Sequence, residues 1–192
     1  MPAFNDWTIP PELWEMIRPM LRPGMVTLET GSGLSTRLFD AAECRHTALE
    51  HDPRFAAESD SVLLKPLVGD PPWYDWEPVR PCELILIDGP PQYAGSRSGV
   101  LRVIDRLVTA GTVIVLDDTN RPDENQLAGC LAGRFALRRI DYRAGSRRRF
   151  SILAGDRKTS CRFWKGTVPF SLRENRDSPR VVCRSPRRRP QR

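Results

Sequence analysis

VTLETGSGLST, residues 26–36, is a short apolar run, an acid, two glycines and the opening of a helix. Val26-Thr27-Leu28 reads as a buried strand that Glu29 ends, Gly31-Ser32-Gly33 makes a tight turn, and Leu34 to Asp40 starts a helix. A glycine turn between strand and helix lets the main chain approach a ligand closely. It also leaves the first helical N–H groups free to meet that ligand. A G-x-G after a strand is weak evidence alone; the acids downstream give it weight.

Working outward, Leu13, Trp14, Ile17 and Leu21 fall at helical spacing and predict a packed helix over about 12–21, which Pro23-Gly24 stops. After the organising unit, the helix runs to about Ala42 and a second buried strand spans His46 to Glu50. Asp52 as N-cap and Pro53 at the first helical position predict another helix. Val62 to Val68 predicts a third strand. Gly69 to Pro81, with Pro71, Pro72, Pro78 and Pro81, predicts a structured loop where many doubly wound folds place a helix. Glu83 to Ile87 is a fourth strand, closed by Asp88-Gly89-Pro90-Pro91. Val100 to Val108 gives a helix and Thr112 to Leu116 a fifth strand ending in Asp117-Asp118. A helix over about Asp123 to Gly133 follows, then strands at Phe135 to Tyr142 and Phe150 to Leu153, joined through Gly145-Ser146.

Apolar runs alternating with helical stretches are the signature of β-α-β units, so the fold class is α/β, doubly wound, with a mostly parallel sheet. Right-handed crossovers place helices on both faces. The short last connection predicts an antiparallel hairpin at one edge.

The 192 residues suit one domain, and 40% hydrophobic with 28% charged residues is ordinary globular composition. No apolar run reaches the roughly 18–20 residues of a bilayer span. The first twenty residues carry Asp6, Glu12 and Glu15 without an apolar h-region, so no secretory signal and a cytoplasmic location are expected. Five scattered cysteines (44, 82, 130, 161 and 183), no C-x-x-C and two histidines argue against a zinc cluster and for incidental thiols in a reducing compartment. The net charge of +6 is unevenly placed: residues 156–192 hold twelve Lys/Arg against three Asp/Glu, a net of +9, which leaves residues 1–155 at −3. The expected organisation is a Rossmann-like domain over 1–155 and a basic, Arg/Pro/Ser-rich, disordered tail over 156–192.

In a doubly wound sheet, ligands sit beyond the carboxyl ends of the strands. The strand ends here are Glu29, Glu50, Asp88 and Asp117-Asp118, all acidic and all expected along one edge. Unpaired buried carboxylates are costly, so several that converge point to a site rather than to separate helix caps. Glu50 lies 17 residues after Gly33, where a carboxylate can accept both hydroxyls of a ribose. A dinucleotide fingerprint would require a third glycine where this chain has Thr36. Glu29 is also a poor neighbour for a pyrophosphate and suits a cation such as an amino group. An adenosyl group joined through a sulfonium to an amino acid is S-adenosylmethionine.

Four pieces in this order, LETGSGLST (28–36), ALEHDP (48–53), LILIDGPP (84–91) and GTVIVLDDTNRPDE (111–124), resemble class I S-adenosylmethionine-dependent methyltransferases. More narrowly they resemble small stand-alone domains with a catechol-methyltransferase-like strand arrangement. The resemblance covers about residues 8–155 and implies a seven-stranded sheet of order 3-2-1-4-5-7-6. It implies that Glu29, Gly31 and Gly33 hold the methionine part of the cofactor, with Ser35 and Thr36 adding hydroxyl contacts or capping the helix. Glu50 would bind the ribose and Gly69-Asp70 would meet the adenine; Trp73 either covers that ring or, like Trp76, packs in its loop. Asp88 stands where acceptor and methyl group meet and is the candidate general base. In metal-dependent relatives an Asp after strand four and an Asp-Asn pair after strand five hold a divalent cation. The corresponding residues are Asp88, Asp117 and Asp118, the last departing from Asn. Three oxygen ligands suit Mg²⁺ or Ca²⁺; the alternative is a metal-free acid cluster with Asp118 capping the next turn. Arg97 either grips an anionic acceptor or is solvated. The loops Gly89–Gly99 and Gly69–Pro81 would border the pocket of a small-molecule acceptor with an O- or N-nucleophile.

Two other readings stay open. A non-catalytic Rossmann-like module would use the arginine-rich tail on nucleic acid or another polyanion. An NAD-linked dehydrogenase is disfavoured by Thr36 and by the lack of an evident catalytic pair.

Overall fold

The computed structural model describes residues 4–5, 7–145 and 147–155; the expected basic tail lies outside them. Seven strands form the main sheet: β1 Val26–Thr30, β2 Arg45–Glu50, β3 Val62–Leu64, β4 Leu84–Ile87, β5 Val113–Leu116, β6 Arg138–Ala144 and β7 Arg148–Ala154. Their order is β3-β2-β1-β4-β5-β7-β6, the order the resemblance implied. The first five are parallel, and β7 runs antiparallel to both β5 and β6. The β6–β7 turn therefore returns to the carboxyl edge, where Leu116 of β5 pairs with Ser151 of β7.

The central strands alternate between two apolar layers. Leu84, Leu86, Val113 and Val115 face Leu13 and Ile17 of α1 (Pro11–Ile17) and Phe39 of α2 (Leu34–Ala41). Ile85, Ile87, Ile114 and Leu116 face Val100, then Ile104 and Leu107 of α3 (Ile104–Leu107), and Leu127 and Leu131 of α4 (Pro122–Arg134). Burial on both faces explains why these strands read as unbroken apolar runs. Among the described residues no helix is long and apolar enough to cross a membrane.

Several boundaries differ from the sequence expectation. The third strand stops at Leu64, before Lys65-Pro66; the following Leu67–Val68 instead pairs antiparallel with Trp73–Tyr74 in a separate ribbon. Proline has no N–H for the ladder, which is where a run of this kind breaks. No helix follows Asp52. Its carboxylate accepts the Arg54 N–H (3.0 Å), Ser32 Oγ donates to the Phe55 carbonyl (2.9 Å) and accepts the Ala57 N–H (3.2 Å), and these bonds hold the segment as turns. The first helix changes to a 3₁₀ turn, Arg18–Met20, with Pro19 inside it. The Val100–Val108 helix is a 3₁₀ segment, Arg97–Arg102, followed by the single turn α3. The predicted strand from Phe135 starts at Arg138 because α4 runs on to Arg134.

Candidate active site

Four acidic strand ends meet at the carboxyl edge around a cavity of about 680 Å³, of which Glu29, Glu50, Asp88 and Asp118 form part of the wall. That volume lies within the range of small-molecule and cofactor sites. Its floor is bare backbone. Gly31 sits at φ +87, a left-handed conformation suited to glycine, and a Cβ at Gly89 would lie 2.8 Å from Gly31 N and 2.5 Å from the Tyr74 hydroxyl. Thr30 binds the two strand ends together: its Oγ1 donates to the Gly89 carbonyl (2.8 Å) and accepts the Gly89 N–H (3.1 Å).

Glu29 is buried where β1 meets α2. Ser35 Oγ donates to its Oε1, Thr36 Oγ1 donates to its Oε2 (2.7 Å), and His46 Nε2 lies 3.4 Å from Oε2. Thr36 Oγ1 also accepts the Gly33 N–H (3.0 Å). Thr36 is thus committed to the helix start and does not line the cavity, whereas Glu29, Gly31, Gly33 and Ser35 do. Glu50 accepts the Ser32 N–H on Oε2 (3.1 Å) and the His51 and Asp52 N–H groups on Oε1 (2.6 and 2.9 Å). It therefore fixes the glycine turn while facing the same space.

Asp88, Asp117 and Asp118 come together, with one carboxylate oxygen from each lying within 4.8 Å of the others. Arginine answers this charge. Arg97, only 5% exposed, donates from Nη1 to the Asp117 carbonyl (2.9 Å) and from Nη2 to Asp118 Oδ2 (3.0 Å) and Asp88 Oδ1 (3.3 Å). Arg148, at the start of β7, pairs with Asp117 and stands 3.6 Å from Asp118, and Arg121 pairs with Asp118 at 3.1 Å. Arg97, expected either to grip an acceptor or to be solvated, is not solvated: it is a buried member of this network that also lines the cavity. Burial pushes the Asp88 carboxyl well above the usual carboxylate range, and Asp117 adds to the shift against the pull of Arg97. Burial likewise raises Asp117, with Arg148 opposing and Asp118 reinforcing. Burial works against the Arg97 charge, but Asp88, Asp118 and Glu124 outweigh it and hold its pKa above the ordinary arginine value.

Besides Thr36, two expected residues are not brought to the cavity. Asp70 is exposed beyond the ribbon and Trp73 is packed into the core, because the chain leaves β3 at Leu64 instead of extending to Val68. The wall beyond Glu50 is made by Phe55, Ala56 and Ala57. Residues that sequence reasoning missed form the mouth: Trp7, 79% exposed and stacked on Phe55 at 6.3 Å, Tyr93 after β4, and Arg37, Arg121, Arg147 and Arg148. The Thr8 carbonyl accepts a bond from Arg148 Nη1 (2.6 Å), so residues 7 and 8 reach from the loop after β2 to the start of β7. Trp7, Tyr93, Arg121 and Arg147 lie outside the helices and strands, and Arg37 and Arg148 are polar positions within α2 and at the start of β7, so no periodic signal marks them.

No family model and no curated protein matches the chain. Among solved structures it is similar to the DhpI–SAH complex (18% identity, TM-score 0.50, covering 76% of this chain and 84% of that one). It is also similar to a SAM-dependent methyltransferase from Aquifex aeolicus (12%, 0.48, 74% and 92%) and to a methyltransferase from Pyrococcus furiosus (20%, 0.46, 74% and 80%). At these identities the likeness is one of fold.

Proposed function

We propose that the protein binds S-adenosylmethionine against the glycine turn and transfers its methyl group to an O- or N-nucleophile of a small acceptor. The observation that carries this reading is the pair Glu29 and Glu50, set on adjacent strand ends on either side of Gly31–Gly33 and open to one cavity. Glu29 suits an ammonium group, and Glu50 a ribose diol. The adenine then lies toward Phe55, Ala56 and Ala57, not toward Asp70. The fold shared with the DhpI–SAH complex supports the same reading.

When bound, the cofactor supplies a methyl group on a positively charged sulfur. The protein aligns the acceptor with it and excludes water, a proximity effect. Asp88, held by Arg97 and lining the same cavity as Glu29 and Glu50, takes the acceptor's proton; a carboxyl with a raised pKa is matched to that task. Tyr93, Arg121 and Arg147 line the acceptor end and favour a flat or anionic molecule. The acid cluster does not fit a divalent cation as it stands, because Arg97 Nη2 bonds both Asp88 Oδ1 and Asp118 Oδ2 and fills the point between them.

Calorimetric titration with S-adenosylmethionine tests this. Micromolar binding by the wild type, weakened roughly 100-fold or more in Glu50→Ala through loss of charge-assisted hydrogen bonds, is the expected result. Folded protein that ignores the cofactor would discard the reading: NADH binding would then favour a dehydrogenase, and salt-sensitive nucleic-acid binding a tail-driven module.

A further inference from the structure

We infer that Arg97 stands in the place of a divalent cation, and that removing its charge would turn the Asp88–Asp117–Asp118 cluster into a cation site. The carboxylate oxygens already lie close enough to share one ion. Mg²⁺ would need its oxygens at about 2.0–2.1 Å, converging on one point. The point between Asp88 Oδ1 and Asp118 Oδ2 is taken by Arg97 Nη2, at 3.3 and 3.0 Å. A guanidinium nitrogen and a metal ion cannot share that position. The guanidinium also does what an ion would do for the fold, because its Nη1 bonds the Asp117 carbonyl at 2.9 Å and ties the ends of β4 and β5 to the 3₁₀ segment.

The surroundings show that Arg97 is held there and has not merely drifted in. Its side chain is buried, Glu124 Oε1 stands behind it 3.9 Å from Nε, and Nε itself makes no hydrogen bond. A buried guanidinium with an unused donor persists because charge, not hydrogen-bond count, holds it. Arg148 pairs with Asp117 and Arg121 with Asp118 Oδ2 (3.1 Å); both remain when Arg97 is replaced, so the point that Arg97 Nη2 vacates, between Asp88 Oδ1 and Asp118 Oδ2, is the one an ion would take. Arg97 is a positioning residue: it fixes Asp88 and Asp118 without needing to touch the acceptor. This inference goes beyond the methyl-transfer reading and does not depend on the cofactor, so the two can fail separately.

The test uses the full chain and Mn²⁺ alone, without cofactor, read by electron paramagnetic resonance and by melting temperature. Wild type should show no saturable binding. Arg97→Met, similar in length but uncharged, should bind Mn²⁺ at least about tenfold more tightly than wild type and melt higher as the ion is added. Arg97→Lys, which restores the positive charge, should return to wild-type behaviour. A merely structural role would not produce a charge-dependent gain of ion binding. Saturable, stabilising Mn²⁺ binding by the wild type overturns the inference whatever the variants do. Folded Arg97→Met or Arg97→Gln that binds no better than wild type overturns it equally.

Discussion

Glu29 and Glu50 carry the same charge in different hydrogen-bond shells. Glu29 accepts two side-chain hydroxyls and anchors a helix; Glu50 accepts three backbone N–H groups and anchors a turn. Thr36→Val keeps the shape but removes the donor to Glu29 and the acceptor for Gly33. It should cost about 1–3 kcal/mol in urea unfolding, the price of a buried unsatisfied pair; an unchanged midpoint would show that the contact is idle. Asp88→Asn, nearly isosteric, should leave S-adenosylmethionine affinity within about threefold while lowering turnover by roughly a hundredfold or more, the usual weight of a general base. Comparable loss of binding and turnover would make Asp88 a cofactor ligand and nothing else.

At the level of elements, the strands were legible because β4 and β5 are buried on both faces, β1 nearly so, and these runs and β2 end abruptly at acids. Substituting one such residue, Ile85→Ala, should cost about 2–5 kcal/mol through the cavity it leaves between the β4 layer and α3 and α4. A loss under about 1 kcal/mol would mean that the layer collapses around the gap. What was not legible depended on distant partners. Leu67–Val68 reads as more of β3, yet its partner Trp73–Tyr74 draws it into the ribbon. The Asp52-Pro53 helix signal is locally sound, but Ser32 and Asp40, from other elements, bond Phe55, Ala57, Ser59 and Ser61 and hold a turn. Arg97 sits in a Gly/Ser-rich loop that looks solvated in sequence, and only the meeting of β4 and β5 reveals that three carboxylates surround it.

Across the whole molecule, the acid cluster sets a pH dependence. Asp88 and Asp117 have pKa values raised in the folded protein, so between the ordinary carboxyl range and those raised values the native state holds protons that the unfolded chain releases. Native stability is then greatest at the acidic end of that window and is lost as pH rises through the folded values, the reverse of the usual paired carboxylate. The urea midpoint should be lower at about pH 8 than at about pH 5, and Asp88→Asn should flatten the difference. A midpoint that climbs with pH would mean that the arginines overcompensate the burial.

The stack of Trp7 on Phe55 has a spectroscopic consequence. Trp14 and Trp73 are buried and Trp7 is 79% exposed and borders the cavity, so its indole should emit at the red edge of the spectrum. A molecule that fills the cavity dries that ring and moves its emission to the blue, and Trp7→Phe abolishes the shift. The protein carries its own optical gauge of occupancy, and candidate acceptors can be screened by eye of a fluorimeter before any product is known.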